Sequence, residues 1–372
     1  MTSKKSRSKK SLNKKQILLI SLVAVLIVAT LVILTTDNAL NNYLVEYLSK
    51  ITGESKETVK NTEDGKLNPS ILSGKGNITL PDNFDLQNLL EVHFLDVGQG
   101  DAIIINLPDY KTMLIDSGTS TKGLADIRDR YLQYLSDVTS SSVIEYMIIT
   151  HSDADHYNML GHVVDSYHIK SAYYNKYVGK AYSQFLAALK AEKGIELREV
   201  YDQSVIYTIT GKGYDMTIYC SGNSAFSGAN QKNNQSFICL LEYGGRRVLF
   251  TGDAGVATEK WFISEIDKPY IDVDVLKVGH HGSNSSTGQE FLEFIDTEYA
   301  IISCDDGTMY GHPHKEAMDR LAYYSIVTYC TDIHGNILLY MDGDGDFGFL
   351  TQNNADAQNN SLGIDQRKIS IS

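Results

Sequence analysis

Apolar residues fall along this chain in three regimes. Residues 17–35 are apolar all round and carry no charge. Residues 36–87 are polar, rich in Asn, Ser, Thr, Lys and Glu, with short apolar patches such as residues 43–48. From Glu91 to about Leu350, compact apolar runs alternate with glycine-bearing turns. The first regime predicts a transmembrane helix, because a helix over that run rises roughly 28 Å, close to the ~30 Å hydrocarbon core. A surface helix of a globular domain would show an apolar stripe instead. A cleaved signal peptide is the competing reading, but its apolar core spans only ~7 to 15 residues, and Leu34-Thr35-Thr36-Asp37 is a poor cleavage site. The second regime predicts a stalk with one short helix.

In the third regime, residues 92–97, 102–107 and 113–115 read as strands, the last running into Asp116-Ser117-Gly118. A helical pattern covers residues 124–135, and a short buried strand, 146–150, stops at His151. Residues 237–243 and 246–250 are strands joined by Gly244-Gly245, a two-residue hairpin signal, and the second leads into Thr251-Gly252-Asp253. A strand at 273–278 delivers Gly279-His280-His281-Gly282-Ser283. Helical patterns at 182–191, 258–266, 288–294 and 314–323 alternate with these strands. The expectation is a mixed α/β domain over 88–350, a basic tail over 1–16, the transmembrane helix over 17–35, the stalk over 36–87 and a polar tail over 351–372.

Charge sharpens this layout. Lys4, Lys5, Arg7, Lys9, Lys10, Lys14 and Lys15 precede every acidic residue, which predicts a cytoplasmic N-terminus and an extracytoplasmic domain on a single-pass anchor in the cell membrane. The overall charge is −13, and without those seven cations the remaining 26 Lys and Arg face 46 Asp and Glu, a balance of −20. Such a field repels polyanions at long range, so nucleic acid is a possible partner that net charge disfavours. Cys220, Cys239, Cys304 and Cys330 are far apart, without a Cys-x-x-Cys pair, and make no zinc ribbon.

The segment His151-Ser152-Asp153-Ala154-Asp155-His156 sets two imidazoles and two carboxylates directly after a buried strand. A tight turn there can aim alternate side chains at two ions; the plainer alternative is an acidic, solvated turn with helix-capping aspartates. Asp253 and the His280-His281 pair, at the ends of two later strands, favour metals. There is no convincing Ser-His-Asp or Cys-His arrangement and no Gly-Lys-Ser/Thr phosphate loop.

This order of motifs resembles the metallo-β-lactamase superfamily. Within it, Phe94-Leu95-Asp96-Val97-Gly98-Gln99-Gly100-Asp101-Ala102 and Tyr310-Gly311-His312-Pro313-His314 resemble the metallo-β-lactamase-like domain of the competence protein ComEC. The resemblance implies a four-layer αββα sandwich. It implies that His151 and Asp153 hold one metal, that Asp155 and His156 hold a second with His280 or His281, and that Asp253 bridges. Asp116 and Asn234 would support the ligands from behind; His312, with Asp155, would take part in catalysis at the substrate or leaving group. Asp153 stands where many members have histidine, and 231–236 lacks the histidine they carry before the bridging aspartate; such hard oxygen ligands suit manganese or magnesium better than an all-imidazole site would, so zinc is expected first by only a small margin over manganese. Tyr157 falls where the family usually has a Gly-Gly turn.

The expected function is that of a membrane-anchored, extracytoplasmic binuclear hydrolase of phosphodiesters, in its sharpest form a nuclease. Two cations would share a water and make it nucleophilic near neutral pH. The alternatives are a hydrolase of small envelope esters, phosphocholine esters or lactones, and a catalytically silent metal-binding interaction module.

Overall fold

The computed structural model describes residues 66–67, 78–79 and 88–353, apart from 140, 176–178, 201–203, 223–231 and 306–309. Ahead of the main domain, Lys66–Leu67 pairs antiparallel with Ile78–Thr79. Two larger sheets follow. The first contains β1 (Leu90–Phe94), β2 (Ala102–Asn106), β3 (Thr112–Ser117), β4 (Val143–Ile149), β5 (His168–Asn175) and β6 (Glu196–Val200), closed at its other edge by β14 (Ile337–Met341) and β15 (Phe347–Thr351), in the order β15-β14-β1-β2-β3-β4-β5-β6. The second contains β7 (Val205–Thr210), β8 (Tyr214–Cys220), β9 (Ile238–Tyr243), β10 (Arg246–Phe250), β11 (Val275–Lys277), β12 (Tyr299–Ile302) and β13 (Val327–Cys330), in the order β13-β12-β11-β10-β9-β8-β7.

The apolar runs are continuous because both faces of each sheet are covered. Along β2, Ile103 and Ile105 enter the core between the sheets, whereas Ala102 and Ile104 pack with the outer helices. Along β10, Val248 and Phe250 face the other sheet and Leu249 faces outward to its own helices. The helices α1 (Leu124–Val138), α3 (Leu160–Ser166) and α4 (Lys180–Ala191) cover the first sheet. The second is covered by α5 (Val256–Glu265), α6 (Gln289–Ile295) and α7 (Lys315–Tyr323). Short turns form α2 (Ala154–Tyr157) and α8 (Thr331–His334). The result is the expected αββα sandwich.

The expected transmembrane helix needs correction. Among the described residues no helix is long and apolar enough to cross a membrane. The longest, α1, has 15 residues and buries a single stripe, Ile127, Tyr131 and Leu135; it rises about 22 Å, short of the ~30 Å core. Residues 17–35 themselves, like the basic tail and most of the stalk, lie outside the described residues. A single-pass membrane anchor, the membrane as a partner and an extracytoplasmic location at the cell membrane therefore find no support in the structure.

Several connections serve the end of the sandwich where the candidate ligands lie. β3 runs parallel to β4, and β10, β11, β12 and β13 run parallel to one another, so their C-terminal ends share an edge within each sheet. At that edge Phe237 donates its N–H to Thr150 O (3.1 Å), and Asn175 Nδ2 donates to both Thr150 O (3.1 Å) and Gln235 O (2.6 Å), joining the sheets. Gly118 permits the ligand turn to approach, since a β-carbon there would lie 2.3 Å from the Asp155 carbonyl carbon.

Glu259 of α5 is buried and accepts the N–H groups of Thr287 and Gly288, pinning the loop that follows the histidine pair. Glu259→Ala leaves the buried Thr287 N–H and the half-buried Gly288 N–H without this partner, and an unsatisfied buried donor costs about 1–3 kcal/mol. We expect a loss of roughly 2–4 kcal/mol in urea denaturation; an unchanged midpoint would remove this support from the loop.

Candidate metal centre

Three loops meet around Asp253. The first leaves β4 as Thr150-His151 and turns through Asp153, Asp155 and His156. The second is the turn after β10, where Asp253 N–H donates to Ser236 Oγ (3.1 Å). The third is the 3-10 turn Gly279–Gly282, held by His280 N–H to Gly252 O (3.0 Å). His280 (φ 50°) and His281 (φ 52°) both take left-handed backbone, as does Asp116 (φ 56°). Such conformations are unfavourable for residues with a β-carbon and persist only where the surroundings enforce them.

The imidazoles converge on one carboxylate. Asp253 Oδ1 lies 3.1 Å from His156 Nε2 and 3.5 Å from His281 Nε2. Its Oδ2 lies 3.7 Å from His151 Nε2 and 3.5 Å from His280 Nε2. His156 Nε2 and His281 Nε2 are 3.3 Å apart, and Asp155 Oδ2 is 3.7 Å from His281 Nε2. Asp153 Oδ2 stands 4.0 Å from His151 Nε2, while its Oδ1 pairs with Lys232 Nζ at 3.0 Å.

The far nitrogens of three rings are engaged elsewhere. His156 Nδ1 donates to Asp116 Oδ2 (2.7 Å) and His281 Nδ1 to Ser303 O (2.8 Å). Thr150 donates its N–H to Asp116 Oδ1 (2.8 Å) and its hydroxyl to Oδ2 (2.6 Å), so its oxygen can accept from His151 Nδ1 (3.1 Å). Each bond commits Nδ1 and turns Nε2 toward Asp253, where the neutral ring carries its lone pair. His151 Nε2 is buried without a hydrogen-bond partner, and Asp253 Oδ1, though near two imidazoles, is in hydrogen-bond geometry with neither.

Ligand atoms within metal-binding range of one another include His151/His156/Asp253 and Asp155/His156/His281, and behind them Asp101/Asp116/His156. Orphaned lone pairs and a mixed nitrogen and oxygen donor set fit a divalent metal centre. His281 is 1% exposed and inside the cluster, whereas His280 is 24% exposed at its mouth, with Nδ1 3.2 Å from Ser285 Oγ. That distinction was not legible in the adjacent His-His pair.

The remaining expected residues are near but differently engaged. His312 is buried, its Nδ1 3.1 Å from Gln99 Nε2, and its ring centroid is 5.4 Å from that of His280. Asn234 lines a cavity of about 200 Å³ beside Asp253 and Ser285, and its carbonyl accepts from Thr258 Oγ1 (2.7 Å). The ring of Tyr157 packs on Tyr182 and Phe185 under α4. Sequence reasoning missed Thr150, the Ser303 carbonyl and Lys277, and gave Asp101 no part in the site. Lys277, a lone cation in an apolar strand, was the readable signal.

Electrostatics follow from this crowding. Burial alone would push the Asp253 carboxyl up, but His156, His281 and His280 hold it well below the usual carboxylate range. Burial opposes charge on His156, yet Asp253 and Asp116 at its two nitrogens push it well above the ordinary imidazole value. His151 is lowered to about 3 by burial and by His156. His312 is lowered to about 4 by burial, then by His281, His280 and His314.

The chain belongs to the metallo-beta-lactamase superfamily, whose family model matches residues 95–207 and 233–305, half of the chain. It is 28% identical over 259 residues to ComE operon protein 3 of Bacillus subtilis, covering 66% of this chain and 32% of that protein. It is 29% identical over 249 residues to Recombination protein 2 of Haemophilus influenzae, covering 66% of this chain and 28% of that protein. The chain thus spans about a third of the length of these curated relatives. Among solved structures, the metallo-beta-lactamase fold protein YhfI from Bacillus subtilis matches with a TM-score of 0.41 at 11% identity, over 70% of this chain and 100% of that chain. Family membership and the two ligand clusters together support a metal-dependent hydrolase.

In the metal-free chain, His156 should keep its proton at pH values where a free imidazole, at about 6.5, has lost it. His151 and His312 should stay neutral down to about 3 and 4. Imidazole-detected NMR titration checks this; a His156 midpoint at or below the free value would refute the charge assignment.

Proposed function

We propose that this chain is a binuclear metal-dependent phosphodiesterase. The observation that carries the reading is the convergence of three Nε2 atoms, each with its Nδ1 tied elsewhere, on the two oxygens of Asp253. In this reading His151 and Asp153 serve one ion, Asp155, His156 and His281 the other, and Asp253 both. Zinc is the first candidate for the imidazole-bearing centre, and manganese the second because the oxygen-rich first site suits a harder ion. Bound divalent cations would supply Lewis acidity and a water acidified toward neutral pH.

The protein's own part is orientation and proton control. Asp116 and Thr150 hold the ligand turn, and the Ser303 carbonyl holds His281. His280, at the mouth, would contact a substrate oxygen. His312 accepts from Gln99 at Nδ1, which leaves its Nε2–H to donate. Because His312 is neutral at physiological pH, its role is that of a hydrogen-bond donor to substrate or leaving-group oxygen rather than a standing cation. Similarity to a recombination protein and to a competence protein supports phosphodiesters as the substrate class. The balance of −20 over the chain after residue 15 favours small diesters over long duplexes.

The purified full chain, supplied with zinc or manganese, should hydrolyse bis-(p-nitrophenyl) phosphate and lose this activity with chelator and in Asp253→Ala. Asp116→Asn should weaken metal affinity about 10- to 100-fold. A metal-loaded chain inert toward phosphodiesters and carboxylic esters alike would overturn the enzyme reading in favour of a silent module.

Metal uptake must also displace the proton that His156 holds in the metal-free state. The raised His156 value gives the sign: affinity is depressed below it and rises as pH climbs through it. Chelator-competition titrations across the neutral range should show this rise, and a flat profile would contradict it.

A further inference from the structure

Beneath the ligand cluster lies an ion pair to which neither the family match nor the proposed chemistry assigns a part. Lys277, the last residue of β11 in the second sheet, is fully buried, and its Nζ lies 2.8 Å from Asp101 Oδ1. The same Nζ donates to Val278 O (3.1 Å). Asp101 immediately precedes β2 in the first sheet and is also buried. Its N–H donates to Asp155 O in the ligand turn (3.0 Å), and its carbonyl accepts from Gly118 N–H (2.9 Å). Its carboxylate stands between the two imidazoles contributed by opposite sheets, 3.9 Å from His156 Nδ1 and 3.5 Å from His281 Nδ1.

A buried ion pair is a poor way to gain stability, because desolvation offsets the attraction and apolar replacements of equal volume are often neutral or better. Its position argues for a different use. We propose that the Lys277–Asp101 pair is a positioning device, a clamp between the sheets that sets the spacing of His156 and His281 and so the affinity of the centre for its second ion. One end of the clamp is bonded to the backbone of the ligand turn, and the other lies three residues before the histidine pair. Neither residue touches substrate.

The inference rests on the metal-centre reading and is tested on the full chain by stoichiometry and affinity rather than turnover. Zinc and manganese content after dialysis, and affinity by competition with a chelator, would be measured for the parent, Asp253→Ala, Lys277→Met and the double variant Lys277→Met/Asp101→Asn. Thermal unfolding of each metal-free protein would be recorded alongside.

Lys277→Met should hold its weaker ion about 10- to 100-fold less tightly. The double variant, freed of the unpaired carboxylate, should regain metal-free stability relative to Lys277→Met without regaining affinity. Should Lys277→Met fail to fold, reduced affinity in the folded double variant still supports the clamp. Parental affinity in Lys277→Met, or in the double variant, overturns the clamp while leaving the metal centre standing. A parent that takes up no ion and behaves like Asp253→Ala overturns both.

Discussion

An imidazole can offer a lone pair to a metal only from a nitrogen that carries no proton, and a neutral ring must place its proton on the other nitrogen. At this site that choice is made by the protein. Asp116, the Thr150 hydroxyl and the Ser303 carbonyl each engage an Nδ1, leaving three Nε2 atoms turned toward Asp253. Remove those acceptors and the same imidazoles could rotate, flip tautomer or satisfy one another. The orphaned His151 Nε2 marks where such internal satisfaction has been prevented. Burying an unpaired polar atom is unfavourable by about 1–3 kcal/mol, a penalty that cation binding can reverse.

The sandwich supplies the acceptors because it fixes where strands end. β3 and β4 lie side by side in parallel, which brings Asp116 next to Thr150. β11 and β12 do the same for the histidine pair and Ser303. The two sheets are joined at this edge by Asn175, by Phe237 and by the Lys277–Asp101 pair. Left-handed backbone at Asp116, His280 and His281 is then enforced by a surrounding lattice of bonds. Chemistry is concentrated where the chain is most constrained.

Much of this was legible in the sequence because the underlying signals are local. The strand ends at His151, Asp253 and Gly279 follow from apolar runs that stop at polar residues, and the Gly244-Gly245 hairpin is where its dipeptide predicts. The strands β7 and β8 were harder to read, since their outer positions carry Thr, Tyr and Asp rather than a continuous apolar run. The difference in setting between His280 and His281 was out of reach because the carbonyl that engages His281 lies 22 residues onward. The part played by Asp101 was hidden for the same reason: its partner Lys277 lies in the other sheet. Tyr157, in place of a small turn, could block a site or pack beneath it, and only the position of α4 decides. The apolar run at 17–35 is a local signal as well, but the described residues include no helix that spans a membrane.

Anomalous diffraction from crystals of the chain grown with zinc or manganese tests the central claim most directly. Two peaks about 3.5–4 Å apart, both within coordinating distance of Asp253 and one beside His281 Nε2, are the predicted result. Ions bound only elsewhere, with the Asp253 carboxylate and its imidazoles unligated, would contradict it.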